Sequence, residues 1–458
     1  MAYADGSNPS VRKDMGVRLP SPAPLAGHTT CAPAREPDRS MTNTSSVAAR
    51  PGRATASGAL ALLSVLMVAA NLRPALTAVG PLVGLIGNDL GLGATALGVL
   101  GAVPLVAFAV VSPLVHQLGR RLGHDRAVLV ASAVLVVGTG VRSLPGTGTL
   151  GLWLGTALLG GAIAVSNVTL PALIKRDFAR EVPLVTGVYT AVLSTTAAFA
   201  SGLALPIARV GGWRLGVGIW GLLSVLALLA WLPRSLRAGR PPAAPGTVPV
   251  GDGALGAVAE AGPRPARPPR RSMWSSAVAW QVTAVMGTQA TTFYLLVTWL
   301  PTIEMSHGVP AVTAGWYLFL YQVVGVVGGL LVTVFMRGRA DHRLAGAGVT
   351  AAMLVGVLGL LLVPSLSLLW IMVAGLSGGG SLVVALALVG ERSRTAADAA
   401  QLSGMVQSIG YLLAVAGPIG AGVLFELSGG WTWPLVALAG VGVVQLVVVW
   451  LAGRDRFV

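Results

Sequence analysis

Long apolar runs dominate this chain and leave few folds open to it. From about residue 58 to the C-terminus, stretches of roughly 18–25 predominantly apolar residues recur. Each is long enough to cross about 30 Å of hydrocarbon as a helix. Twelve are expected, at about 58–86, 94–117, 126–143, 150–174, 183–207, 213–232, 274–301, 312–336, 343–363, 366–390, 402–425 and 431–452. Membrane barrels are built from alternating segments of about ten residues, half this length. Only 10% of the residues are charged, against about 25% in soluble domains. A soluble enzyme, a disordered chain and a fibre are therefore excluded. The expected class is an all-α membrane protein with twelve transmembrane helices.

The segments around the spans divide the chain. Residues 1–56 are rich in Pro, Ser, Thr, Arg and Gly without hydrophobic period and read as a disordered tail. Translation from Met41 instead of Met1 would fit this composition equally, and no apolar run before Leu60 suggests a secretory signal. Residues 233–272 have linker composition and separate six spans at 57–232 from six at 273–458. The net charge of +15 sits beside the spans, as membrane topology requires and nucleic-acid recognition does not. Loops on the tail's side carry Arg120, Arg121, Arg126, Lys175, Arg176, Arg180, Arg337, Arg339, Arg343, Arg392 and Arg394, whereas the opposite loops hold Arg142, Arg209 and Arg214. This asymmetry predicts a multi-pass protein of the cell membrane with both termini and the linker in the cytoplasm.

The two sets of spans share landmarks. At an offset of 217, Gly98 falls on Gly315, Arg120 on Arg337, Lys175 on Arg392 and Gly187 on Gly404; at 218, Gly211-Gly212-Trp213 falls on Gly429-Gly430-Trp431. Such a repeat predicts two pseudo-symmetric six-helix bundles, with a substrate site at the midplane between them.

Arg73 lies mid-span in Asn71-Leu72-Arg73-Pro74, where an arginine costs roughly 2.5–3.5 kcal/mol to insert. All 16 Asp and Glu fall in the tail, in loops or at span ends, the nearest being Asp89, Glu304, Glu391 and Glu426. Two readings stand: an anionic substrate is the counter-ion, or carbonyls, hydroxyls and amides of the bundle satisfy the guanidinium. Pro74 lacks an N–H and should kink the helix beside Arg73. Asn71, Asn167, Tyr189, Thr190, Gln289, Tyr294, Tyr321, Gln322, Gln407 and Tyr411 lie at central depth; they are candidates to line a cavity, or else polar contacts between helices. Trp299 and Trp316 are expected as interfacial anchors.

No Ser, His and Asp converge, and no phosphate-binding Gly-Lys-Ser/Thr loop occurs, so neither an enzyme nor an ATP-driven pump is expected. The single Cys31 excludes an internal disulfide and a thiolate metal cluster, and neither metal nor cofactor is expected. The five histidines lie in the tail, in loops or at span ends, which leaves no obvious intramembrane proton carrier.

Asn71-Leu72-Arg73-Pro74-Ala75-Leu76-Thr77 with Val79-Gly80-Pro81-Leu82 resembles the first helix of the cyanate/nitroimidazole transporter family, within the major facilitator superfamily. Similar are Pro171 to Phe178, Trp280-Gln281-Val282-Thr283, and Leu402 through Gln407 to Gly410-Tyr411. Ser112 to Arg121 resembles the superfamily's Gly-x-Leu-Ala-Asp-Arg-x-Gly-Arg-Arg gating loop, with Ser112 for the Gly and His116 for the Asp; Arg120 and Arg121 keep its basic end. The resemblance implies the major facilitator fold and a monomer moving a small-molecule substrate. Members are named for cyanate, a small anion, and for nitroimidazoles, which are neutral. Transport of a small anion such as cyanate, efflux of neutral nitroimidazole-like or other foreign compounds, and a non-transporting sensor on the same fold are the three readings. Deleting residues 1–40 is expected to leave proteoliposome uptake unchanged; lost flux from correctly inserted protein would show that the tail takes part.

Overall fold

The computed structural model describes residues 51–237, 273–339 and 341–458. The expected tail up to residue 50 and the linker from 238 to 272 lie outside the described residues. Every described element is helical. The first half contains α1 (Pro51–Ala69), α2 (Pro74–Thr77), α3 (Val83–Leu90), α4 (Ala94–Leu122), α5 (His124–Ser143), α6 (Gly148–Asp177), α7 (Val182–Gly218) and α8 (Trp220–Arg237). The second contains α9 (Ala277–Ser306), α10 (Ala311–Met336), α11 (Arg343–Leu362), α12 (Ser367–Glu391), α13 (Ala396–Ala414), α14 (Ala416–Ser428) and α15 (Thr432–Ala452).

Ten segments of the described chain are long and apolar enough to cross a membrane. One of them, Leu184–Leu236, has 53 residues. That is about 80 Å of helix, more than twice the hydrocarbon thickness. It breaks at Gly211 and Gly212, the latter with φ 75°, and so holds the fifth and sixth expected spans. The matching turn in the second half has Gly429 at φ 71°. The expected seventh span, α9, is 30 residues long but stands outside the ten; it carries Gln281, Thr283, Thr288, Gln289, Thr291 and Thr292.

The first span departs most from a plain helix. The expected kink at Pro74 is a full interruption: α1 stops at Ala69, a turn covers residues 70–73, and α2 restarts at Pro74. The amides of Leu76 and Thr77 both bond back to the Arg73 carbonyl, 2.9 and 3.0 Å away. A second break follows, a 3-10 turn at Gly80–Leu82 containing Pro81. Both breaks come where proline removes a backbone donor. Side chains hold the freed segment. Asn71 Nδ2 donates to the carbonyls of Met67 and Leu223, Thr77 Oγ1 donates to Ala197 O at 2.8 Å, and Arg142 Nη1 donates to Ala75 O at 2.8 Å.

Two of the sequence assignments change here. Arg142 belongs to the last turn of α5 and is 1% exposed, so it is no loop arginine. Trp299 is also buried, donates from Nε1 to Pro418 O at 2.9 Å and packs on Trp431. It is a core residue, because α9 turns that face toward α14.

Ion pairs tie the helix ends where the basic loops lie, termed here the basic end. Asp125 at the start of α5 pairs with Arg176 and Arg234, and Asp177 with the same two arginines. In the second half, His342 pairs with Glu391, and Arg392 donates to the carbonyls of Ala452 and Gly453. At the opposite end one apolar core, from Leu82 and Trp213 to Trp299 and Leu438, joins the two halves.

That joint is made by backbones meeting closely. A Cβ at Gly98 would fall on the Pro418 carbonyl, one at Gly80 on the Val297 carbonyl, and one at Gly202 on the Trp316 ring. Glu426 of α14 completes it by accepting from the Thr95 amide at 2.9 Å, capping α4. Within the second half, α10 and α12 touch backbone to backbone, and a Cβ at Gly379 would overlap the Gly325 carbonyl. Gly379→Leu is expected to destabilise the purified protein by about 1–3 kcal/mol through overpacking. Thermal unfolding in detergent measures this, with Gly84→Ala, where the added methyl meets nothing within 4 Å, as the neutral control.

Candidate functional site

A cavity of about 510 Å³ lies between the halves. Its walls follow helical periodicity, since residues four apart share a face. On α10 the stripe is Tyr321, Gln322, Gly325, Val326, Gly329, Leu330 and Thr333; on α7 it is Thr186, Gly187, Thr190, Ala191 and Ser194. On α9 it is Gln289, Ala290, Phe293 and Tyr294, with Tyr411 of α13 and Arg73 completing the ring. Thr186 near the start of α7 and Thr333 near the end of α10 show that the cavity extends toward the basic end, while the joint described above closes the other.

Arg73 stands at the break between α1 and α2, half-buried. Its Cζ lies 5.1 Å from the centre of the Phe293 ring, a cation–π contact between the two halves. Among the described residues no carboxylate lies within 4 Å of it. Glu304 is buried, but in the last turn of α9 beside His307 and away from the cavity wall. Among the described residues the site therefore holds one fixed positive charge with no negative side chain to neutralise it.

Aromatic rings enclose that charge. Phe293 and Tyr294 meet edge to face at 5.2 Å, Tyr294 and Tyr411 at 6.4 Å, and Phe108 and Tyr411 at 5.2 Å. Gln322 Nε2 donates to Ser201 Oγ at 2.8 Å, across the seam between α10 and α7, and its Oε1 has no partner. Gln289 Nε2 reaches only the Met286 sulfur, at 3.3 Å. The amides thus keep hydrogen-bonding capacity inside an otherwise apolar, aromatic chamber.

Of the residues singled out from the sequence, Arg73, Gln289, Tyr294, Gln322 and Tyr411 come together here, as do Thr190 and Tyr321. The others do not line the cavity wall. Both ends of the Asn71 amide are engaged in packing α1 against α8, where Ser224 Oγ donates to Oδ1 at 2.8 Å. Gln407 Nε2 bonds Ser403 of its own helix at 3.2 Å. Tyr189 is half-buried against the same apolar cluster that Tyr294 and Tyr411 flank, next to the cavity but not on its wall, and Asn167 is half-buried in α6. Arg120 and Arg121 are exposed in the last turn of α4. Sequence reading missed Phe293, Thr186, Ser194 and Thr333. Phe293 is one helical turn from Gln289, and Thr333 three turns from Gln322, so extending each polar candidate by its period would have found them.

The sequence model of the Major Facilitator Superfamily matches residues 59–413. An "uncharacterized transporter" of Bacillus subtilis is 37% identical over 402 residues, covering 87% of this chain and 94% of its own. The 2-nitroimidazole transporter of Escherichia coli is 34% identical over 403 residues, 86% and 95% of the two chains. The cyanate transport protein of the same organism is 28% identical over 389 residues, 84% and 95%. A crystal structure of a bacterial homologue of the human lysosomal transporter Spinster has the same fold at a TM-score of 0.67, with 16% identity over 88% of this chain and 98% of that one.

The geometry separates cavity residues from packing residues. Asn71→Ala is expected to cost about 1–3 kcal/mol of stability through orphaned hydrogen-bond partners, with KM for the transported solute unchanged. A KM raised tenfold or more in uptake assays would put Asn71 in the site after all.

Proposed function

This chain belongs to the major facilitator superfamily, and from that premise we propose that it carries a small anion across the cell membrane by alternating access, with Arg73 as the anchor of the negative charge. The observation that supports this most is the guanidinium itself: it faces a cavity of about 510 Å³ with no carboxylate among the described residues to neutralise it. In a low-dielectric chamber such a charge attracts an anion far more strongly than it would in water. The arginine fork also matches two-oxygen groups geometrically. Gln289, Tyr294 and Tyr411 orient the solute by donating hydrogen bonds without adding charge, while the free Oε1 of Gln322 accepts only.

In this reading the basic end is cytoplasmic, following the arginine asymmetry, and the cavity opens inward. The solute works as a single ligand of a single chain. Among the described residues the cavity wall contains no Asp, Glu or His, so in this reading transport is facilitated or by exchange, or a proton travels on the solute itself.

A second reading is efflux of a neutral nitro-bearing ring. Phe293, Tyr294, Tyr321 and Tyr411 favour it by giving flat faces on which a ring stacks, and a nitro group presents two oxygens to Arg73 as a carboxylate does. The relative named for 2-nitroimidazole supports it too. The two readings differ in charge, so proteoliposome uptake of labelled cyanate, benzoate and 2-nitroimidazole decides between them. Saturable uptake of an anion, inhibited by other anions, is the expected result. Uptake of 2-nitroimidazole alone would overturn the anion reading and select the second.

A further inference from the structure

Among the described residues of the first half, Arg142 is the arginine that is fully buried, and the cavity around Arg73 does not include it. Its side chain is 1% exposed. Nη1 donates to Ala75 O, two residues beyond Arg73, while Nε and Nη2 have no partner. Among the described residues no carboxylate lies within 4 Å. A backbone anchor alone would not leave this pair bare: Nε and Nη2 form the side-on fork of the guanidinium, the face that grips anions. A buried charge with one of five donors paired is costly unless something outside the chain completes it.

The surroundings offer further donors. Arg142 shares a cavity of about 20 Å³ with Tyr294 and Thr298, whose hydroxyls can donate, and with Thr156, whose hydroxyl is committed to Leu152 O. This small cavity lies across the seam. Ala75, Gly101 and Arg142 come from the first half, and Tyr294, Val297 and Thr298 from the second. A Cβ at Gly101 would lie 2.6 Å from Thr298 Oγ1, so the contact is tight in the conformation seen. It belongs to the joint that must part before the opposite end can open, and parting enlarges the space beside Arg142. Tyr294 lines this cavity and the larger one, which sets the two guanidiniums on either side of one tyrosine.

We propose that Arg142 is a second anion-binding group of the transport path, taking a small monovalent anion at the seam when the closed end opens and passing it by Tyr294 to Arg73. The inference rests on the reading of Arg73 as an anion anchor, but it is tested separately from it. In full-length protein purified in detergent, thiocyanate replaces gluconate at constant ionic strength while thermal unfolding is followed by tryptophan fluorescence. Arg73→Gln retains a saturable stabilisation, the double variant Arg73→Gln/Arg142→Gln loses it, and Arg142→Lys in the same background keeps part of it. Loss of the response in Arg73→Gln alone, or its persistence in the double variant, overturns the proposal.

In oriented proteoliposomes, Arg142→Gln raises KM several-fold more for anions entering from the opposite end than from the basic end. An equal change from both sides is what a merely structural role predicts, and it too overturns the proposal. Should Arg142→Gln not fold, Arg142→Lys and Thr298→Val carry the same comparison. Chloride distinguishes the source of the anion. If it competes with the transported solute, Arg142 is a station for that solute, as proposed; if it stimulates uptake by wild type and not by Arg142→Gln, the site holds a separate inorganic anion and the hand-over to Arg73 is overturned. Were a neutral nitroaromatic the only solute carried, the Arg73 reading would fail while the thermal comparison still decided Arg142.

Discussion

A guanidinium among apolar helices needs a partner, and Arg73 finds no carboxylate among the described residues of its own chain. The surrounding architecture is arranged around that condition. The helix that carries it is broken on its C-terminal side by Pro74 and again at Pro81, so the backbone there is free to present polar groups to a cavity. The break is not left loose, because Asn71, Thr77 and Arg142 fasten it to α8, α7 and α5. Phe293, from the opposite half, places its ring against the charge. A contact between the halves therefore depends on the same residue that the solute would engage.

The two ends of the bundle are built from different materials. At the basic end, charged side chains tie helices within each half, as in the network of Asp125, Asp177, Arg176 and Arg234. At the opposite end, glycines bring the halves into backbone contact, at Gly98 against Pro418 and at Gly80 against Val297, and Glu426 caps α4 across the seam. Ion pairs within a half would keep it rigid in the proposed alternating access. Close contacts without covalent or metal links can separate and re-form, and that is the property alternating access demands.

Much of the fold could be read from the sequence because a bilayer leaves so few solutions. Run length located the ten segments that are long and apolar enough to cross a membrane, and the repeated Gly-Gly-Trp turns reappear with left-handed glycines at Gly212 and Gly429. Less of the site was legible. Arg73 drew attention through its cost at mid-span, whereas Arg142, at the very end of the expected third span, looked like one more loop arginine, because nothing in its local sequence says that α5 turns it inward. Asn71 and Gln407 share the depth of Gln289, yet depth alone does not fix which face of a helix meets the cavity. Phe293 carried no polar mark at all. Facing direction is decided by neighbouring helices, and that information is long-range.

The central claim is that the Arg73 charge holds the solute, and uptake of labelled cyanate into proteoliposomes by wild type, Arg73→Lys and Arg73→Gln tests it most directly. Saturable uptake by wild type, a raised KM in Arg73→Lys and loss of uptake in a correctly folded Arg73→Gln is the predicted result. Equal uptake by all three would contradict it and leave Arg73 as a structural cation.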